Sequence, residues 1–220
     1  MTKLDQKQRQ RIIVRHRASI ERNGYQPAAL FWSSQEIQEI RFQQLARLLE
    51  RFDGTHRKEQ YDVLDVGCGF GDLARYLAAK GLPMNYHGID LSPDMVFAGK
   101  SQYPDLDLRE GELFDFNYED EAFDFVLLSG ALNEVVDETG NYAKSVIQEM
   151  YRICRKGVAF NLLNARDAWT HNRPDLQSFD SEQVRQYCEG FCRSVEVVDD
   201  YLENDFTVYL QKEADDESGH

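Results

Sequence analysis

Between Tyr61 and Leu77 the chain reads YDVLDVGCGFGDLARYL, with glycines at 67, 69 and 71 and an acid on either side, Asp65 and Asp72. Glycine at alternate positions lets a ligand lie against bare backbone. The spacing G-x-G-x-G is one residue tighter than the G-x-G-x-x-G of dinucleotide loops. Dinucleotide sites place a pyrophosphate on the N-terminus of the following helix. Asp72, where that helix begins, would repel one, and Asp65 favours a ligand carrying positive charge. Asp90 follows nineteen residues past Gly71 in YHGIDLSPDMV, where an acid can accept from both hydroxyls of a ribose. Its alternative role is to cap the next helix, but Ser92 and Pro93 already supply that start. The chemistry indicated is a pocket for a nucleoside with positive charge, not for a pyrophosphate.

Such residues need a scaffold that brings strand ends together. From Tyr61 onward, short apolar runs at Tyr61–Val66, Met84–Ile89, Leu106–Glu110, Phe123–Ser129 and Gly157–Leu163 alternate with helical stretches at Asp72–Lys80, Pro93–Lys100 and Asn141–Cys154. That alternation predicts a parallel sheet with helical crossovers. One more helix, Ser181–Glu189, precedes SVEVVDDYLENDFTVYL, two strands joined by a polar turn. The fold expected is α/β: a Rossmann-like, doubly wound, seven-stranded sheet, mostly parallel with an antiparallel C-terminal strand. Ahead of it, residues 3–22 form a weak amphipathic helix, NGYQPAALFWSS breaks it, and Ser33 with Glu36 has the form of a capping box. A stronger helix follows, marked by Ile37, Ile40, Leu45, Leu48, Leu49 and Phe52. The division expected is an N-terminal helical segment over residues 1–55, a catalytic domain over 56–212 and a disordered acidic tail over 213–220.

A net charge of −14 argues against a protein that wraps nucleic acid through phosphate contacts. Residues 1–22 nevertheless hold seven Lys/Arg against two acids. That arm could touch RNA or an acidic partner, or pair with the protein's own acidic surface. No stretch approaches a membrane span, and the N-terminus has no apolar leader core, so a cytoplasmic protein with reduced thiols is expected. Cys188 and Cys192 have a metal-compatible spacing but no nearby partners, so no metal is expected.

The loop Asp65–Asp72, Asp90 and the closing hairpin resemble the class I S-adenosylmethionine-dependent methyltransferases over roughly Tyr61 to Leu210. The resemblance implies S-adenosylmethionine as cofactor and S-adenosylhomocysteine as product. It places the loop Gly67, Cys68, Gly69 and Gly71 against the methionine part and ribose, with Asp65 before it. Asp90 would hold the ribose, with Leu91 beside the adenine and Met95 also among the binding residues. Gly111-Glu112 departs from the family's usual Gly-Asp, and Glu112 with Leu113 would reach the adenine. Ser129 would lie at the methionine end. FWSSQEIQEIRF, SGALN, KGVAFNLLN and DYLENDFTVYL further resemble a subfamily of small bacterial methyltransferases. There the segment before the domain folds over the cofactor, which makes Trp32, Ser34 and Arg41 candidate contacts. Trp32 could instead simply pack the N-terminal helix, and Arg41 could be a solvated charge.

Methyl transfer is an in-line displacement in which the protein supplies position, desolvation and sometimes a base. Acceptor-side candidates are Asn133, Glu134 and Tyr142, with Trp169 and His171 in NARDAWTHNRPD. His171 could be a general base or an ordinary loop histidine; His87 is expected to be structural, and His16 and His56 to lie on the surface. The lack of an Asn-Pro-Pro-Tyr motif and the acidic charge favour a small-molecule acceptor over nucleic acid. Competing readings are a cofactor-binding module without turnover and a nicotinamide-dependent oxidoreductase.

Overall fold

The computed structural model describes residues 2–52, 60–82, 84–137 and 139–212. The boundary at 55/56, His56 and the acidic tail 213–220 fall outside these residues. Seven strands form one sheet in the order β3-β2-β1-β4-β5-β7-β6. They are β1 Tyr61–Val66, β2 Met84–Asp90, β3 Asp107–Glu110, β4 Phe123–Ser129, β5 Cys154–Leu163, β6 Ser194–Val198 and β7 Asp205–Gln211. The first five pair in parallel, while β7 runs antiparallel to both β5 and β6. The architecture is thus the mostly parallel, Rossmann-like sheet with an antiparallel C-terminal strand that the apolar runs predict.

Helices cover both faces, so the central strands are apolar on both sides. Helices α2 (Gln35–Phe52) and α3 (Asp72–Ala79) pack Leu45, Leu48, Leu49, Leu73 and Leu77 against Val63, Phe125, Leu127 and Tyr209. On the opposite face, α5 (Asn141–Ile153) and α7 (Ser181–Glu189) set Val146, Ile147, Met150 and Val184 against Leu64, Val126, Phe160 and Val208. Helix α4 (Pro93–Gln102) starts as expected, with Ser92 Oγ accepting from the Met95 N–H and Pro93 in the first turn. The two outer strands are short and β3 is charged, which discourages edge-to-edge pairing.

Several element ends shift by one or two residues from expectation, and two differences have a clear structural cause. β5 begins at Cys154, three residues ahead of Gly157, because Cys154 pairs with Phe123 across a register shift in β4. The cap of α2 is Ser34, whose Oγ accepts from the Ile37 N–H at 3.2 Å, and not Ser33. The preceding 3-10 turn Pro27–Leu30 ends at Phe31 with φ +63°, which carries the chain two residues further before the helix begins.

Helix α1 (Gln6–Asn23) opens on a capping box between Asp5 and Gln8. Its basic stripe meets the loops at the carboxyl ends of the strands. Lys3 donates to the Phe114 carbonyl, Arg9 pairs with Glu112 and Asp115, and Arg11 donates to the Val135 carbonyl. Arg15 pairs with Glu134 at 2.7 Å and Arg17 with Asp94 at 2.9 Å. The positive arm is therefore matched to this protein's own acidic surface.

Candidate active site

Strand order reverses between β1 and β4, and the main cavity opens there, beyond the carboxyl ends of the strands. Its base is the loop after β1, with Gly67, Cys68 and Gly69 exposed to it. Gly67 has φ +75° and Gly69 +56°. A Cβ on Gly67 would stand 2.3 Å from Ala131 Cβ, and one on Gly69 would stand 2.7 Å from Leu30 Cδ2. The loop is thus kept bare partly because the turn after β4 and the N-terminal segment press onto it. Gly71 lies outside the cavity wall: it is the N-cap of α3, and a Cβ there would meet Leu106 at 2.8 Å.

Three aspartates, buried or largely buried, face the cavity. Asp90 accepts from the Gly69 N–H at 2.9 Å through one oxygen and from the Ser92 N–H at 2.8 Å through the other. A carboxylate offers about four acceptor positions, so Asp90 holds the loop and still has capacity for a diol. Asp65 accepts from the Tyr86 hydroxyl at 2.6 Å. Burial pushes its carboxyl up to about 7, against the pull of that hydrogen bond, with Asp90 and Asp72 adding repulsion. Burial also raises Asp72, which accepts from Tyr103 at 3.1 Å and Gln38 at 3.4 Å. Asp65 and Asp72, whose carboxyls burial raises, suit a ligand that brings positive charge.

After β3, Glu112 and Leu113 line the cavity, and Leu91 lines it after β2. The Glu112 carboxylate pairs with Arg9 and accepts from the Tyr142 hydroxyl at 3.0 Å, so it ties α1 to this wall. Burial and the neighbouring Glu112 charge raise the Tyr142 phenol far above its ordinary value. At the end of β4, Ser129 donates to Asn161 at 3.0 Å, and Asn161 donates to Thr207 at 2.7 Å. Asn133 also lines the cavity, its amide oxygen accepting from the Leu163 N–H at 3.3 Å.

The segment before the domain supplies the opposite wall. Trp32 faces the cavity, and the Arg41 guanidinium stacks on it at 4.6 Å. Arg41 is not a solvated charge: it is buried, 2.5 Å from Asp205 at the start of β7, with its Nε unpartnered. Tyr201 donates to the other Asp205 oxygen. Burial pushes the Asp205 carboxyl up to about 6, while Arg41 and Tyr201 pull it down.

Three further expected residues stand away from the cavity wall. Ser34 is spent on capping α2, and Ser33 lines the cavity in its place. Met95 packs with Ala29, Phe70 and Ala98, because the first inward position of α4 points to the core. His171 is exposed at the end of α6 (Ala168–His171), and Trp169 of the same turn lines the cavity mouth instead. His16, expected on the surface, lines the cavity: with Ile12 and Ile20 it forms a stripe at four-residue steps along α1. That spacing was the available signal.

Residues 64–162, which span β1 to β5, match the model of a methyltransferase domain. These residues form a methyltransferase domain. A Mycobacterium tuberculosis protein named as a methyltransferase is 26% identical over 159 residues, 70% of this chain and 95% of that one. A demethylmenaquinone methyltransferase of Oceanobacillus iheyensis is 35% identical over 101 residues. That match covers 43% of this chain, which spans only 40% of the longer relative. The solved plantazolicin methyltransferase BpumL, in complex with a triazolic desmethyl analogue and S-adenosylhomocysteine, shares the fold. Its TM-score is 0.64 at 14% identity, over 96% of this methyltransferase and 100% of that chain.

S-adenosylmethionine supplies this methyltransferase with a methyl group on a positively charged sulfur. The residues present fit it: a bare glycine loop, a buried acid ending β2, and further acids on the cavity wall. Among the described residues no helix is long and apolar enough to cross a membrane.

Proposed function

We propose that this methyltransferase transfers the methyl group to a small, planar aromatic acceptor. The observation that carries this reading is the change in lining along the cavity. Its inner part is acidic, while Phe31 and Trp169 line it near the surface, 44% and 55% exposed, with Trp32 further in. Exposed aromatics on a cavity wall favour flat apolar ligands by stacking and area burial. Arg15 lies over Phe31 at 4.4 Å and Arg173 over Trp169 at 4.8 Å, so both rings are held in place. A relative that acts on a quinone agrees with a flat acceptor.

In the same reading, Asp90 takes the ribose hydroxyls, and Leu91, Glu112 and Leu113 flank the adenine. Asp65 faces the methionine ammonium, and the free Nε of Arg41 faces its carboxylate. Gly67, Cys68, Gly69 and Ser129 form the surface beneath the sulfur. Residues 1–55 act as cover and 56–212 as catalytic domain. Four buried, unpaired cysteines are in keeping with cytoplasmic work. The test is methyl release from labelled S-adenosylmethionine across a panel of naphthols, hydroquinones, amines and carboxylic acids. Turnover confined to amines or acids refutes the aromatic acceptor.

A further inference from the structure

Behind the cavity wall, one face of the sheet carries a row of polar side chains next to a row of apolar ones. Ser129 of β4 pairs with Asn161 of β5, and Asn161 pairs with Thr207 of β7. Side chains two apart along a strand share a face, so the neighbouring row there is Leu127, Ala159 and Tyr209, which pack with α2. Asn161 and Thr207 are fully buried; Ser129, half-buried, is the member of the row that lines the cavity. The polar row continues through Tyr201, 2.8 Å from Thr207, to Asp205 and Arg41. Buried hydroxyls and amides are tolerated where their hydrogen bonds are made, and in this row each of them has one.

The protons of the row have one consistent arrangement. Burial raises the Asp205 carboxyl only to about 6, so at neutral pH it is ionised beside the Arg41 guanidinium and accepts the single proton of Tyr201. Thr207 must then donate to Tyr201. With its own proton spent, Thr207 accepts from Asn161 Nδ2 at 2.7 Å, which turns Asn161 Oδ1 toward Ser129. Ser129 donates to that oxygen at 3.0 Å. Every proton therefore points away from the cavity toward Asp205. The Ser129 oxygen has only lone pairs left for what lies in the cavity. Asp65 borders the same part of the wall: it pairs with Leu127, two residues before Ser129 on the same face. β1 and β4 thus each offer the cavity an oxygen acceptor, an arrangement suited to a group with several N–H donors.

We propose that Asn161, Thr207 and Tyr201 are positioning residues that hold the Ser129 proton inward, so that this end of the cavity selects a cationic N–H donor, the ammonium of the cofactor. The proposal rests on the reading that sets that ammonium beside Asp65. A hydroxyl free to rotate serves a donor or an acceptor equally; one whose proton is held elsewhere rejects an acceptor. Ser129 touches the ligand, and the other three act through it.

The test is calorimetry on the full-length protein at about pH 7.5, above the range in which Asp205 takes up a proton. Two ligands are compared: S-adenosylhomocysteine and its deaminated analogue, in which hydrogen replaces the ammonium. Wild type is expected to bind S-adenosylhomocysteine the more tightly. Thr207→Val keeps the shape but removes the acceptor of the Asn161 amide, which is then free to turn over and let the Ser129 proton face the cavity. That variant should lose affinity for S-adenosylhomocysteine on the order of tenfold, with the analogue bound as by wild type. Thr207→Ser keeps the hydroxyl and should restore the wild-type ratio of the two affinities. Tyr201→Phe releases the Thr207 proton and should narrow the ratio in the same direction, which keeps the test decisive where Thr207→Val does not fold. Equal losses for both ligands assign the row to packing alone and overturn the proposal, as does an unchanged ratio in the folded variants. Wild type that binds the two ligands equally, or Asp65→Asn with the wild-type ratio, overturns the ammonium reading as well. Loss of the ratio in Asp65→Asn with its retention in Thr207→Val leaves that reading standing and overturns only the role of the row.

Discussion

The Asp90 carboxylate accepts from the Gly69 N–H at 2.9 Å, so the end of the second strand fixes the shape of the loop that follows the first. The same carboxylate also anchors the Ser92 N–H at 2.8 Å and is assigned here to the ribose.

Removing it should therefore cost more than a ligand contact. Asp90→Ala is expected to weaken S-adenosylhomocysteine by roughly 100-fold, because hydrogen bonds to a charged acceptor contribute about 1.5–3 kcal/mol each. Asp90→Asn, with one acceptor oxygen left, should fall between. Isothermal titration of the folded variants decides the matter, and equal affinity in all three proteins refutes the ribose assignment.

Gly67 is predicted to be the least replaceable glycine of the loop. Gly67→Ala combines φ +75° with a Cβ 2.3 Å from Ala131, whereas Gly81→Ala combines φ +74° with open space. Both pay the backbone strain, so the difference between them isolates the collision, about 1–3 kcal/mol. Urea denaturation of the two variants should show that gap; equal midpoints would mean the turn after β4 moves aside freely.

Arg41 is predicted to matter to stability and to ligand in separable ways. Arg41→Met leaves Asp205 buried without its cation, a loss of about 3–5 kcal/mol for breaking a buried pair. Adding Asp205→Asn should restore much of the stability by removing the stranded charge. Cofactor affinity should stay low in the double variant, because the Nε donor is still missing. Recovery of both together would assign Arg41 a purely structural role.

The pH behaviour should be set in part by Asp65. Its folded-state carboxyl is raised by burial to about 7, above the ordinary value of about 3.9 in an unfolded chain. Between those values the native state binds the extra proton, so stability falls as pH rises from about 4 to about 7. A positively charged ligand favours the ionised form, so cofactor binding near pH 6 should release a proton. Calorimetry at that pH in buffers of different ionisation enthalpy measures the release. It should vanish in Asp65→Asn, and its persistence there would point to another group.

The parts that were legible in the sequence are those in which cause and effect lie close together along the chain. Glycine spacing, the acids at 65 and 90, and the alternation of apolar runs each carry their meaning within about a dozen residues, and the sheet follows from them. Met95 packs into the core because nearness to Asp90 in sequence says nothing about which side of α4 faces inward. His171 and His16 exchanged places for a similar reason. A histidine in a strand-end loop gains weight from the strand it follows, while the stripe Ile12, His16, Ile20 has no partner along its own stretch of sequence, since α1 meets the strand ends only in the fold. The Trp32–Arg41–Asp205 stack joins residues from both ends of the chain, and no local pattern announces it.

That stack also sets an order of events during synthesis. The wall formed by residues 27–42 is made before any strand of the sheet, yet the carboxylate that holds Arg41 belongs to the last strand. The Tyr209 hydroxyl, which donates to the Gln44 carbonyl at 2.7 Å, arrives later still. Contacts so far apart in sequence form late, after the long intervening loop has been closed by other elements. On the ribosome the glycine loop and Asp90 can already be in place while the cavity stands open on one side. The closing wall of the cavity therefore waits on the last strand to be made.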